Sequence, residues 1–113
     1  MSELLFIYGT LHPDRAPGEI ASVVRRLTSV GRATVHARLF DLGEYPGIVL
    51  DANAAAVSGE LFVVPDEVTL AALDAYEDYR PDDSAASLFL RTEAVATLDD
   101  GVDMSCWVYV YNR

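Results

Sequence analysis

The sequence predicts an α+β fold, a small barrel of mixed or antiparallel strands with two helices flanking it. Two observations carry this prediction. Strand-like and helix-like segments follow the order β-α-β-β-β-α-β-β, and the last third of the chain alternates as one long hairpin. A chain of this length buries roughly 65 % of its unfolded surface, enough for a core without covalent staples. No repeat or linker interrupts it, so residues 1–113 are predicted to form a single domain.

The first predicted strand is an unbroken apolar run over residues 4–8 that ends at Gly9. Strands that face water alternate, so an unbroken run predicts a strand buried on both faces. Gly9 permits backbone angles closed to other residues, and the N–H groups of Gly9, Thr10 and Leu11 can converge on one point. Converging amides bind carboxylates and oxyanions, although a plain connecting turn is the alternative.

The elements that follow are predicted from periodicity and from turn residues. Two prolines and a glycine make residues 12–18 a loop, and apolar side chains three and four apart predict a helix over residues 19–27. Alternation predicts a half-exposed strand over residues 32–41. A turn over residues 42–47, a short strand over 48–50, a turn over 51–53 and a strand over 56–64 complete this part. Gly59 inside the last strand marks a bulge or a close backbone approach.

The second helix is predicted over residues 66–76, because Pro65 followed by two acidic residues is a common helix start. An acidic segment broken by proline follows and begins at Glu77. The last third is predicted to be a hairpin of strands 87–98 and 102–111. Its turn is Asp99-Asp100-Gly101, a residue choice typical of tight turns.

Composition excludes several classes of partner. The net charge of −10, from 18 acids against 8 arginines and no lysine, disfavours binding to nucleic acid and to anionic membranes. The single cysteine, Cys106, excludes an internal disulfide and a Cys-rich zinc site, which suits a reducing compartment. Met1-Ser2-Glu3 lacks the basic start typical of a signal peptide, so none is expected, and no apolar run approaches the ~20 residues that span a bilayer. A cytoplasmic location is therefore predicted; the oligomeric state is left open.

Several separated motifs occur in an order that covers essentially the whole chain. They are Phe6-Ile7-Tyr8-Gly9-Thr10-Leu11, Tyr45-Pro46-Gly47, Val57-Ser58-Gly59-Glu60-Leu61-Phe62, Leu73-Asp74-Ala75-Tyr76-Glu77, Arg91, and Trp107-Val108-Tyr109-Val110-Tyr111. This ordered set resembles the gamma-glutamylcyclotransferase-like superfamily, which includes the avirulence-induced protein group. The fold of that superfamily, a small β-barrel with flanking helices, agrees with the pattern of strands.

The resemblance implies a reaction, a substrate and a set of site residues. A small γ-glutamyl amine or γ-glutamyl amino acid closes to 5-oxoproline and releases its amine, with no metal or organic cofactor. The resemblance implies Glu77 as the catalytic residue and Tyr8, Gly9, Thr10 and Leu11 as the substrate-binding strand end. A non-catalytic ligand-binding or interaction domain of the same fold is the alternative function.

Elementary chemistry fits this assignment. The substrate's own α-amine is the nucleophile, so the enzyme supplies a base, donors for the carbonyl oxygen and a proton for the leaving nitrogen. One carboxylate can make both proton transfers if burial raises its pKa from ~4.3 toward neutrality. Without the resemblance, Glu77 among neighbouring acids is more typical of a solvated helix end. The spacing of these acids matches no calcium-binding loop.

Several other residues have a candidate role, and for some of them the sequence leaves two interpretations open. Arg91 pairs with a substrate carboxylate or with a buried acid, and His12 contacts substrate or lies on the rim. Cys106 is predicted to be a core residue and His36 a surface one. Four aromatic residues line a pocket or pack in the barrel: Tyr45, Trp107, Tyr109 and Tyr111.

Two positions depart from the pattern of the superfamily. Many relatives have glycine directly after the glutamate, where this chain has Asp78, and tyrosine is common at the position of Phe89. Asp78 places a like charge beside the predicted base, which tends to raise the pKa of Glu77. Phe89 lacks the hydroxyl with which a tyrosine at this position could bind the substrate.

Overall fold

The computed structural model describes residues 3–8, 18–43 and 46–112. Six strands, two α-helices and a short 3₁₀ helix over Ser84–Ala86 make up the described chain. The strands are β1 (Glu3–Ile7), β2 (Thr28–Asp41), β3 (Pro46–Leu50), β4 (Ala56–Val64), β5 (Phe89–Leu98) and β6 (Asp103–Tyr111), and the helices are α1 (Gly18–Val24) and α2 (Glu67–Tyr76). Neither of these helices is long and apolar enough to cross a membrane.

Five of the strands close into a barrel in the order β2, β4, β1, β6 and β5, and pairing of β5 with β2 completes the ring. The pair β1–β6 is parallel, and the other pairs are antiparallel. β3 stands outside the ring and pairs with the second half of β2. The predicted α+β barrel with two helices is therefore confirmed, and the barrel is a mixed one.

The strands bury side chains in two clusters. The inner cluster contains strand residues only, namely Phe6, Ala33, Val35, Ala37, Ile48, Leu61, Ala96, Cys106 and Val108. The outer cluster packs strands against both helices and consists of Leu5, Ile7, Ile20, Val24, Phe62, Val64, Leu70, Leu73, Phe89 and Tyr109. Successive residues of β1 alternate between the two clusters. This confirms that β1 is buried on both faces and explains its unbroken apolar sequence.

Gly59 marks a close approach of two strands. A Cβ atom at this position would lie 2.5 Å from the carbonyl oxygen of Ile7 and 2.6 Å from the ring of Phe6. Both contacts are shorter than van der Waals distance, and one partner is backbone of the neighbouring strand β1. Glycine at position 59 therefore allows β4 to hold the end of β1 in place.

We expect Gly59→Ala to lower the free energy of unfolding by about 2 kcal/mol, because the new methyl group must push β1 away from β4. Urea denaturation would measure the loss. The matched control is Gly18→Ala, where a Cβ meets no atom within 4 Å. Equal urea midpoints for Gly59→Ala and the unmodified protein would contradict the close approach.

Several boundaries differ from those predicted, and those of β2, α1 and β3 are instructive. β2 begins at Thr28 rather than at residue 32, because a register shift between Ser29 and Gly31 interrupts the alternation that reveals a strand. α1 is shorter than predicted, and the chain leaves it through two turns rather than one more helical turn. Pro46 and Gly47 belong to β3 instead of the preceding turn. Their composition favours a turn, and pairing with β2 overrides it.

Candidate active site

Glu77 ends α2 as its C-cap residue. The N–H of Tyr79 donates to the carbonyl oxygen of Asp74 at 2.9 Å, and the N–H of Asp78 donates to that of Ala75 at 3.2 Å. These two bonds form the Schellman motif, in which the residue after the C-cap takes the left-handed conformation. Asp78 has this conformation, with φ of 56°. This left-handed conformation therefore explains why many relatives carry glycine at this position.

We expect Asp78→Gly to raise the free energy of unfolding by about 0.5–1 kcal/mol. Glycine adopts the left-handed conformation without the steric cost that a side chain brings. The ion pair that is lost, Asp78 with Arg80 at 3.2 Å, is exposed and contributes little. Urea denaturation would measure the gain. The matched control is Asp82→Gly, since Asp82 is exposed and has no positive φ. A lower urea midpoint for Asp78→Gly would contradict the expected gain.

The Glu77 carboxyl lies in a desolvated position, although the sequence around it is strongly acidic. Burial raises the pKa of Glu77 from 4.5 to about 7. The cause is the loss of water, as the sequence analysis expects of a catalytic carboxyl, and repulsion by Asp78 is not among the causes. A carboxyl with a pKa near neutrality exchanges protons readily at physiological pH. The Glu77 carboxyl is therefore less solvated than that of an ordinary exposed acid at a helix end.

Tyr8 follows the last residue of β1 and faces the same region. Its hydroxyl donates a hydrogen bond to the backbone carbonyl oxygen of Tyr109 at 2.8 Å. Burial and the negative charge of Glu77 raise the pKa of the Tyr8 phenol, so the hydroxyl keeps its proton. Tyr109 connects the end of β1 to α2, because its carbonyl oxygen accepts from Tyr8 and its hydroxyl donates to Asp74. The structure thus brings together two of the residues predicted for the site.

A buried polar cluster underlies this region. The Tyr109 hydroxyl donates to Oδ1 of Asp74 at 2.7 Å, and Nε of Arg91 donates to the same oxygen at 2.9 Å. The Asp74 and Arg91 side chains are only 10 % and 17 % exposed, so this ion pair is well shielded from water. Burial, the hydrogen bond to Asp74 and the charges of Asp74 and Glu77 together raise the pKa of Tyr109. The cluster connects α2 to β5 and β6.

Arg91 is held by aromatic rings as well as by Asp74. Its guanidinium carbon lies 4.4 Å from the centroid of the Trp107 ring and 5.7 Å from that of Tyr79. Both distances permit cation–π attraction. Of the two partners considered from the sequence, the buried acid is the one found.

Asp74 accepts both hydrogen bonds of this cluster, and the sequence alone does not single it out. It precedes Glu77 by three residues, so the two side chains occupy neighbouring positions on one helix face. This spacing is the sequence signal for Asp74. It does not distinguish a buried acid from a solvated one in a segment that is rich in acidic residues.

An open groove of about 670 Å³ begins at Tyr8. Its described lining is mostly small and apolar, with Arg38 as its charged member: Tyr8, Ala37, Arg38, Leu39, Pro46, Ala54, Ala55, Ala56, Val57 and Ser58. The Arg38 guanidinium is paired with Asp51 at 2.9 Å and is largely exposed. Tyr8 lines this groove, whereas Glu77 is not among its described lining residues.

The other predicted positions divide into two groups. Gly9, Thr10 and Leu11, together with His12 and Tyr45, lie outside the described residues. Cys106 is buried in the inner cluster, where burial raises the pKa of its thiol to about 11, and His36 is exposed, both as predicted. Among the described residues, no group of three or more His, Cys, Asp or Glu side chains could hold a metal ion.

The fold and the site define a class of protein: a small closed mixed barrel that carries a desolvated carboxylate at a helix end, beside a tyrosine at a strand end. The family model described as gamma-glutamyl cyclotransferase, AIG2-like, matches residues 5–113. The chain therefore belongs to this family, and the resemblance inferred from its motifs is confirmed.

Similar proteins agree with this membership. A Vibrio cholerae protein named "Putative gamma-glutamylcyclotransferase" is 38% identical over 113 residues, which are 100% of this chain and 85% of that protein. An AIG2-like protein from mouse has the same fold with a TM-score of 0.73 at 21% identity, over 98% of this chain and 78% of that chain. A protein from Arabidopsis thaliana superposes with a TM-score of 0.74 at 21% identity, over 99% of this chain and 70% of that chain.

Proposed function

We propose that the protein is a gamma-glutamyl cyclotransferase that converts a γ-glutamyl amine or amino acid to 5-oxoproline and a free amine. The observation that carries the proposal is the desolvated Glu77 carboxyl at the end of α2, a helix that Tyr109 connects to Tyr8 at the end of β1. Family membership supplies the reaction class. The geometry of Glu77 supplies a group able to perform its proton transfers.

In the proposed mechanism, the substrate's α-amino nitrogen attacks its own γ-carbonyl carbon and forms the five-membered ring. Glu77 accepts a proton from this nitrogen and delivers it to the leaving nitrogen as the old C–N bond breaks. Both transfers suit a carboxyl with a pKa of about 7, which is neither too weak a base nor too weak an acid at neutral pH. Holding the substrate bent for ring closure supplies roughly 7 kcal/mol or more of the lowering of the barrier.

The backbone amides of Gly9, Thr10 and Leu11, which the sequence predicts to converge, remain the predicted donors for the substrate carboxylate or for the developing oxyanion. The groove that begins at Tyr8 is open, and its small apolar lining suits a leaving amine of variable length. Arg91 is engaged by Asp74 and two aromatic rings. We therefore assign it to the support of the site rather than to the substrate carboxylate.

Release of 5-oxoproline from a panel of γ-glutamyl amines and γ-glutamyl amino acids tests the proposal. The purified protein is expected to release 5-oxoproline and the matching amine in equal amounts. Ligand-induced thermal stabilisation without any product across the panel would instead favour a non-catalytic binding domain.

The pH dependence of kcat/KM gives a second test. The base must be ionised, so kcat/KM is expected to fall as the pH drops below about 7, the pKa of Glu77. The substrate's α-amine, which lies beside a free carboxylate, adds its own ionisation at a pH above ~8. Two substrates whose α-amines differ in pKa separate the two effects, because the part of the pH profile that is due to Glu77 is the same for both. An enzyme limb near the ordinary glutamate pKa of ~4.3 would contradict a desolvated base.

A further inference from the structure

The groove that begins at Tyr8 contains a cation that the proposed proton transfers do not use. Arg38 is the charged residue of its described lining, and the side chains beside it are small and apolar, such as Ala37, Ala55 and Val57. The protein as a whole carries a net charge of −10, so its general field repels anions. An arginine in this groove therefore provides a local attraction for an anionic group on the molecule that occupies it.

The Arg38 guanidinium is held in place and still has donors to offer. Its Nε donates to Oδ2 of Asp51 at 2.9 Å, and Oδ1 of Asp51 accepts from the backbone N–H of Asn53 at 2.9 Å. A guanidinium has five N–H donors in one plane, and this ion pair engages the one on Nε rather than the four on the terminal nitrogens. The Arg38 side chain is 67 % exposed, so a ligand can approach it. Because Asp51 already orients the side chain, less side-chain entropy is lost when a ligand binds.

The strand register separates Arg38 from Tyr8 along the groove. Directly before Tyr8, β1 pairs with β4 at Glu60. Directly before Arg38, a backbone N–H of β2 donates to the carbonyl oxygen of Ala55 at 3.3 Å. These two points on the chain are five residues apart, which corresponds to roughly 16 Å of extended strand, and the long Arg38 side chain bridges part of it. A substrate with its glutamyl part beside Tyr8 therefore directs its leaving group along the groove toward Arg38.

We propose that Arg38 binds a carboxylate on the leaving group, so that the preferred substrate is a γ-glutamyl amino acid rather than a γ-glutamyl amine. This inference rests on the proposed function and deepens it by naming the class of leaving group. The terminal nitrogens of a guanidinium present parallel donors that match the two oxygens of a carboxylate. Arg38 is then a determinant of specificity and takes no part in the proton transfers.

Two substrates of nearly equal size test the proposal. They are γ-L-glutamyl-L-alanine and γ-L-glutamyl-L-alaninamide, in which a neutral amide replaces the carboxylate of the leaving group. Arg38→Met is expected to lower kcat/KM for the first substrate about tenfold and for the second less than about twofold. The loss should lie mainly in KM, because the contact with the leaving group exists before the reaction as well as during it. Any difference in reactivity between the two leaving groups cancels when the two proteins are compared.

The matched control is Arg32→Met. Arg32 is an exposed arginine on the same face of β2, six residues before Arg38, and it is not among the described lining residues of the groove. This variant removes the same charge from the protein and is expected to leave the ratio of the two kcat/KM values unchanged. Arg38→Lys keeps the charge without the parallel donors, so it should show a smaller loss for γ-glutamylalanine than Arg38→Met.

Equal losses for the two substrates in Arg38→Met, or no loss for either, would overturn the role of Arg38 and leave the proposed function standing, since both substrates still yield 5-oxoproline. A change of the ratio in Arg32→Met as large as that in Arg38→Met would also overturn it. Release of 5-oxoproline from neither substrate by the unmodified protein would overturn the proposed function together with this inference. Thermal unfolding verifies that the variants are folded. If Arg38→Met is not, Arg38→Gln keeps a donor for Asp51 without the charge, and the same outcomes decide.

Discussion

Replacement of Glu77 by glutamine is expected to lower the rate of 5-oxoproline release by about 10²–10⁴-fold, the range typical of general acid–base catalysis. Glutamine has nearly the same shape and can still hydrogen-bond to an amine, but it cannot accept a proton at neutral pH. The loss should therefore appear in kcat, while the affinity for the substrate changes less.

The same substitution is expected to stabilise the folded protein above neutral pH. Burial raises the pKa of Glu77 in the folded state to about 7, whereas the ordinary value is 4.5. Between these values the folded state binds more protons than the unfolded state, so ionisation of Glu77 costs stability as the pH rises. Glu77→Gln removes this cost, which we place at about 3 kcal/mol at pH ~8, and it gains little at pH ~5.

Product formation and urea denaturation at both pH values would measure the two effects together. Glu93→Gln is the matched control, since Glu93 is an exposed glutamate of β5, and it should change neither quantity. A Glu77→Gln protein that retains more than about a tenth of the activity would exclude Glu77 as the base. A protein that loses activity without gaining stability at pH ~8 would show that Glu77 is catalytic without being desolvated.

The features of the fold that the sequence predicts are those with local signals. The alternation of β6 places Cys106 and Val108 in the inner cluster and Tyr109 in the outer one, because neighbouring strand residues face opposite sides. The features that escape prediction depend on contacts distant in sequence. The pairing of β2 with β5 closes the barrel through residues more than sixty positions apart, and no local pattern specifies it.

The candidate site shows the same division. Motifs indicate Glu77 and Tyr8, but no property of either residue reveals that burial makes Glu77 a weak acid. Desolvation is a property of the packed surroundings, here the junction of a helix end and a strand end. The choice between a substrate carboxylate and a buried acid as the partner of Arg91 likewise required the position of Asp74 relative to β5.

The left-handed Asp78 links the backbone of the site to its chemistry. The Schellman motif ends the helix at Glu77 and turns the chain directly after it. Asp78 satisfies this geometry less well than glycine would, and burial rather than the charge of Asp78 raises the pKa of Glu77. The departure from the superfamily pattern therefore affects stability and leaves the proposed base intact.

Asp74→Ala is expected to lower the free energy of unfolding by about 3–4 kcal/mol, because it leaves the shielded Arg91 guanidinium and the buried Tyr109 hydroxyl without their shared acceptor. It should also lower kcat, since Asp74 ties the end of α2 that carries Glu77 to β5 and β6. Urea denaturation and 5-oxoproline release measure the two losses.

The double variant Asp74→Ala/Arg91→Met separates two causes of the lost stability: the unpaired charge of Arg91 and the lost contact between α2 and β5. The double variant should be more stable than Asp74→Ala alone, because methionine removes the uncompensated charge while its side chain still packs against Trp107. Its kcat should stay low, since no ion pair remains to hold the helix end against β5. A double variant less stable than Asp74→Ala would show that Arg91 stabilises the fold mainly through its aromatic neighbours, Trp107 and Tyr79, and that the ion pair with Asp74 is secondary.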